Sequence, residues 1–133
     1  MRQKLWILSL LALAASAAPV LAAASLEVQI NGLPYTGSPT LPRGATVNVG
    51  TPITVAIIIH GGKAADPPWL KHGDDVQMNG AGTNPQPNSD EYTFFVTPLH
   101  PGKVTFGAID VRTTKGEALH AGAITLAVVP LKK

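Results

Sequence analysis

The chain has 133 residues, 45% of them hydrophobic, with ten Lys and Arg against eight Asp and Glu. It has no Cys, which excludes disulfides, thiol chemistry, a Cys metal site and a lipidated Cys anchor. The basic residues are scattered apart from the terminal pair Lys132-Lys133, so a sequence pI of about 9.1 gives no ground for a nucleic-acid partner.

The first two dozen residues read as a secretory signal peptide. Arg2 and Lys4 form a basic start, Leu5 to Ala18 an apolar run, and Pro19-Val20-Leu21-Ala22-Ala23-Ala24-Ser25 a stretch of small residues suited to a cut. The apolar run is shorter than the roughly 20 residues of a membrane-spanning helix, which weighs against a retained anchor. Val20 with Ala22, or Ala22 with Ala24, supplies the small residues before the cut. We place the signal at 1–24 and a single domain at 25–133, periplasmic or secreted, with no membrane span after processing. Losing Arg2 and Lys4 leaves eight basic residues against eight acidic ones, so the mature chain is close to neutral. It must be held by its core alone, which is feasible at roughly 110 residues.

Leu26, Val28 and Ile30 alternate with Glu27 and Gln29, the signature of a half-buried strand. Asn31-Gly32 marks a tight turn, with a brief return from Leu33 to Tyr35. Gly37 to Gly44, with Pro39 and Pro42, reads as loop. Val47 and Val49 resume alternation. Pro52 to His60 is the strongest strand: Ile53, Val55, Ile57 and Ile59 share one face and Thr54, Ala56, Ile58 and His60 the other. Gly61-Gly62 stops it. Lys63 to Gly73 is irregular and carries Trp69, expected to plug one end of the core, the other reading being an exposed partner anchor.

Val76 and Met78 suggest a short strand, and Gly80 to Asn88 a loop. Tyr92, Phe94 and Val96 alternate with Thr93, Phe95 and Thr97 in a strand with rings on both faces. Pro98 to Gly102 is a turn. Val104 and Phe106 lie on one parity and Ile109 and Val111 on the other, so a bulge or kink is expected at Gly107. Thr113 to Gly116 is a turn, and Ile124 to Val129 the last strand, ended by Pro130. Short strands between Gly/Pro turns, with no helical period, define an all-β antiparallel sandwich.

The run Glu91-Tyr92-Thr93-Phe94-Phe95-Val96-Thr97-Pro98, then Pro101-Gly102-Lys103-Val104-Thr105-Phe106-Gly107-Ala108-Ile109-Asp110-Val111, then Gly116 and Ala121 to Val128, resembles the Ig-like repeats of BatD, the bacterial aerotolerance-associated proteins. Gly50-Thr51-Pro52-Ile53-Thr54-Val55 is similar to the start of that family's second main strand. The chain departs from the pattern in having one such domain and Gly107 where a Pro often stands. The resemblance implies an immunoglobulin-like sandwich that serves as a periplasmic interaction module, with no catalytic residues to carry over.

Chemistry-bearing residues are sparse. Among His60, His72, His100 and His120, three lie in or beside predicted loops and His60 ends a strand, with Met78 able to add a soft copper ligand, but no pair shows the short spacing of a preformed metal site. Asp74-Asp75 and Asp90-Glu91 suit turn and edge roles better than calcium, which needs six or more oxygens. Gly80-Ala81-Gly82 has no helix after it and is no phosphate loop. Ile58 and Phe95 sit on the minority faces of their strands, either exposing an apolar partner site or covered by neighbours. The resulting expectation is a non-enzymatic module with no cofactor and no metal that binds another cell-envelope protein. A small periplasmic metal or ligand carrier using His72, His100, His120 and Met78 is the alternative.

Overall fold

A computed structural model describes residues 23–130. The expected signal peptide therefore lies outside the described residues, except for Ala23 and Ala24. Ten strands run in order through the described residues: β1 Ser25–Ile30, β2 Leu33–Pro34, β3 Val47–Asn48, β4 Ile53–His60, β5 Val76–Gln86, β6 Ser89–Pro98, β7 Gly102–Phe106, β8 Ile109–Arg112, β9 Ala118–Ala121 and β10 Ile124–Val129. A 3-10 turn, Pro42–Gly44, interrupts the expected loop before β3. Among the described residues no helix is long and apolar enough to cross a membrane.

β4 is the central strand of a five-stranded sheet ordered β2-β1-β4-β6-β5. Its inward residues Ile53, Val55, Ile57 and Ile59 are at most 3% exposed. Each such side chain contributes on the order of 2 kcal/mol by leaving water. Both flanks are antiparallel, with Val28 opposite Ile57 on one side and Tyr92 opposite Ile57 on the other. The Asn31-Gly32 turn forms as expected, joining Ile30 to Leu33 with both residues at positive φ, 52° and 78°. That geometry favours Asn and Gly in two-residue hairpins. The Asn31 side chain also accepts the Thr54 N–H at 2.9 Å, tying the turn to β4.

The facing layer is ordered β3-β10-β7, with β3 parallel to β10, and continues as the pair β8-β9. The pairs β7-β10 and β8-β9 are one hairpin. Phe106 pairs with Ile124 and Ile109 with Ala121, so the register is unchanged across Gly107-Ala108 and Gly122-Ala123. The kink expected at Gly107 is present as this break rather than as a bulge. A methyl on Gly107 would stand 3.0 Å from Lys71 Cβ, too close for a side-chain atom fixed to the backbone. Gly107→Ala is expected to destabilise by about 1–2 kcal/mol in a denaturant melt, because Lys71 is tethered there by the Gly107 N–H to Lys71 carbonyl bond of 2.9 Å. β9 is too short for a recognisable sequence pattern: in Ala118-Leu119-His120-Ala121 only Leu119 and Ala121 lean on the core, and it is a strand because it continues the ladder.

Phe106, Leu126, Val104 and Ile124 close the core from this side, each at most 1% exposed. The Tyr35 hydroxyl links the layers, accepting the Thr125 N–H at 3.1 Å and lying 3.4 Å from the Thr125 carbonyl. The order β1-β4-β6-β5 against β10-β7 is that of strands A, B, E and D against G and F of an immunoglobulin domain. Strand C survives only at its ends, as the bridges Ala64–Thr113 and His72–Phe106. Between them stand Pro67-Pro68, which lack the N–H a ladder requires. The chain is an immunoglobulin-like β-sandwich with a looped-out strand C.

Candidate binding edge

The looped-out segment changes the reading of Trp69. It does not plug the core: it is 59% exposed and meets Phe94 edge-on, with ring centroids 5.7 Å apart. The prolines carry Trp69 away from the ladder, and its neighbour Leu70, 0% exposed, enters the core instead.

The loop expected from Gly80 to Asn88 is also corrected. β5 runs on to Gln86, and only Pro87 and Asn88 form the turn. Ladder pairing with the strongly strand-forming β6 overrides the weak local propensity of Gly80, Gly82 and Pro85. Their position explains why they are tolerated: β5 is the outer strand, so one side of its backbone has no ladder partner. β5 has eleven residues, Val-Gln-Met-Asn-Gly-Ala-Gly-Thr-Asn-Pro-Gln, and none is charged. Edge strands are ordinarily guarded by charge, by shortness or by bulges. Here the guards are Pro85 and one register shift between Met78 and Gly80. Past the register shift, Ala81, Thr83 and Pro85 take over the inward face begun by buried Val76, yet all three are exposed. The second layer stops short of them.

Aromatic rings flank this edge on both faces. Phe95 pairs with Gly80 and is 42% exposed, because glycine offers no side chain to cover it. Phe94 pairs with Ala81 on the other face and carries Trp69 against its ring edge. Ile58 is not part of any such surface. It is 8% exposed, lying on the central strand between Glu27 and Glu91.

Lys63 and Asp90 secure the far end of the β5–β6 hairpin. The Lys63 ammonium pairs with Asp90 Oδ1 and donates to the carbonyls of Gln86 at 2.6 Å and Ser89 at 3.0 Å. Asp90 Oδ2 accepts the Ala64 N–H at 2.8 Å. Burial pushes the Asp90 carboxyl upward, and this is the largest single influence. The Lys63 bond, the Ala64 N–H, the Lys63 charge and Tyr92 together outweigh it and hold the group below the usual aspartate range. Tyr92 is raised in turn, by burial first and then by the Asp90 charge. Asp90 and Glu91 point to opposite faces, as neighbours on a strand must, so the pair does not act as one chelating site.

The candidate ligand residues are dispersed. His60 Nε2 lies 2.6 Å from Glu27 Oε1. The Glu27 carboxyl is lowered, chiefly by the Gln29 side-chain bond and then by the His60 bond. His72 Nδ1 is 2.9 Å from the Gly73 carbonyl, and His100 sits in the turn after β6. His120 Nδ1 is 2.7 Å from Asp110 Oδ1 on the rim of an open cleft of about 340 Å³, left beside the looped-out Asp66-Pro67. Met78 packs partly buried against the core. Among the described residues no three His, Cys, Asp or Glu side chains are gathered where they could hold a metal ion. Asp74-Asp75 occupies the turn before β5, as expected.

Fold and edge together define an immunoglobulin-like domain with an uncovered, uncharged outer strand. No family model matches the chain, and no curated protein does. Among solved structures it is similar to a cohesin module of a family 33 glycoside hydrolase from Clostridium perfringens, at 9% identity and a TM-score of 0.47, over 82% of this chain and 100% of that one.

Proposed function

We propose that the chain is an exported, non-enzymatic protein-interaction module of the bacterial cell envelope, related in kind to the Ig-like repeats of BatD. It takes up an extended segment of another envelope protein along β5. The observation that carries this reading is the bare edge itself: eleven uncharged residues in ladder geometry, with Phe95 on one face and Trp69 on the other. An added strand gains main-chain hydrogen bonds from such an edge, and its alternate side chains meet the two rings. The similarity of residues 91–111 to the BatD repeats supports the envelope setting, and the basic-then-apolar start supports export.

Gly80 and Gly82 supply the test. A Cβ built on either meets nothing within 4 Å, and neither has positive φ, so both accept a side chain at the backbone without strain. Gly80→Lys with Gly82→Lys places two charges on the edge and leaves the core untouched. A photo-crosslinker at Thr83 is expected to trap one envelope partner in the parent protein. The double variant is expected to bind that partner at least about tenfold more weakly, with an unchanged melting temperature. Equal affinity of the two proteins sinks the assignment to β5.

A further inference from the structure

Ala23 and Ala24, the Gly61-Gly62 step and the turn from Thr113 to Glu117 meet at one end of the sandwich. Ala24 is 8% exposed. A methyl on Gly62 would stand 3.3 Å from Ala24 Cβ, and one on Gly61 would stand 3.6 Å from Ala24 Cα and 3.7 Å from the Ala23 carbonyl oxygen. The bare Gly62 thus leaves room for the Ala24 methyl, while Gly61 supplies the positive φ of 73° that turns the chain there. Glu117 Oε2 accepts the Ala24 N–H at 3.2 Å. Glu117 is held in place by a buried threonine: its N–H donates to Thr113 Oγ1 at 3.0 Å and its carbonyl accepts the Thr113 N–H at 2.8 Å. Among the described residues, tertiary bonding therefore starts at Ala24, one residue before β1.

The sequence offers two cuts, after Ala22 or after Ala24. The second removes a buried methyl and the amide that Glu117 holds. We propose that export processing hydrolyses the Ala22–Ala23 amide, an inference that rests on the exported reading. It moves the domain boundary from 24/25 to 22/23. Water adds across that C–N bond, leaving a carboxylate on Ala22 and an α-ammonium on Ala23. The new ammonium is one residue from the amide bound by Glu117. Backbone dimensions therefore keep it within about 7 Å of the carboxylate. That is inside a Debye length at physiological salt. Processing thus creates a charge attraction at the sandwich end that the uncut chain lacks.

Secretion of the full chain from a bacterial host, with intact mass and N-terminal sequencing of the product, tests this. The expected product begins Ala23-Ala24-Ser25. A product beginning at Ser25 overturns this inference and leaves the exported reading standing. A chain recovered whole overturns both. A second measurement compares chains that start at Ala23 or at Ser25, each with Glu117 or Glu117→Gln. The Ala23 start is expected to melt about 3 °C higher, and Glu117→Gln to lower its midpoint more than that of the Ser25 start. An equal response of the two starts to Glu117→Gln overturns the role given to Glu117.

Discussion

Phe106→Ala is expected to destabilise the domain by about 3–5 kcal/mol, the range for deleting a buried ring. Phe106 is 0% exposed and is among the largest fully buried side chains. Its surroundings are poorly placed to collapse into the space. It ends β7, pairs with Ile124 in β10, and forms the bridge to His72 that keeps the remnant of strand C against the sheet. The next residue, Gly107, is bonded to Lys71. A shift that filled the cavity would have to move all of these contacts. With no disulfide to hold the unfolded chain together, the full loss should appear in the denaturant midpoint with an unchanged slope. A shift under about 1 kcal/mol would mean that the layers repack freely, contrary to a core in which Phe106 is locked by its neighbours.

Asp90→Ala is expected to destabilise by about 2–3 kcal/mol, less than for breaking a fully buried ion pair because Lys63 is a third exposed. The substitution leaves the Lys63 ammonium without its anion and the Ala64 N–H without an acceptor. Lys63 also gathers the Gln86 and Ser89 carbonyls, so amide exchange at the end of the β5–β6 hairpin should quicken in the variant. The pH dependence has a definite sign. The Asp90 carboxyl is lowered in the folded state, so its stabilisation is complete above the unfolded aspartate value of about 3.9. It is lost as pH falls below that value through the folded one. The parent protein should lose more stability between about pH 5 and pH 2.5 than Asp90→Ala does. Parallel pH profiles would show that the pair contributes nothing.

The parts of the fold that were legible are those in which periodicity and burial agree. Ile53–His60 repeats Ile53, Val55, Ile57 and Ile59 on one parity and has strands on both sides in the sheet, and Asn31-Gly32 named its own turn. β9 was not legible because it is four residues long and Leu119 is its one large apolar side chain. It is held by pairing to Ile109–Arg112, a long-range fact that no local pattern carries. β5 was hidden for the converse reason: Gly80, Gly82 and Pro85 carry turn propensity, and only the partner strand decides their conformation. The same cause concealed the candidate site, since an edge is defined by a missing neighbour and a sequence does not record its neighbours. Trp69 was misplaced by one residue, the core position belonging to Leu70. The usable signal was Pro67-Pro68, which rules out a continuous strand C and so allows the tryptophan beside it to swing outward.

The uninterrupted register of the bent hairpin bears on how the chain finds its shape. From Gly102 to Val128 every cross-strand contact within the ribbon grows outward from the one reversal at Thr113–Gly116, so the closing loops are short. The other sheet must bring Ser25 to His60, and His60 to Ser89, across much longer stretches of chain. Long closures forfeit more chain entropy before any contact repays it. The C-terminal ribbon, like the β5–β6 hairpin with its two-residue turn, is therefore able to assemble by itself, a ready surface on which the isoleucine-rich strand can settle.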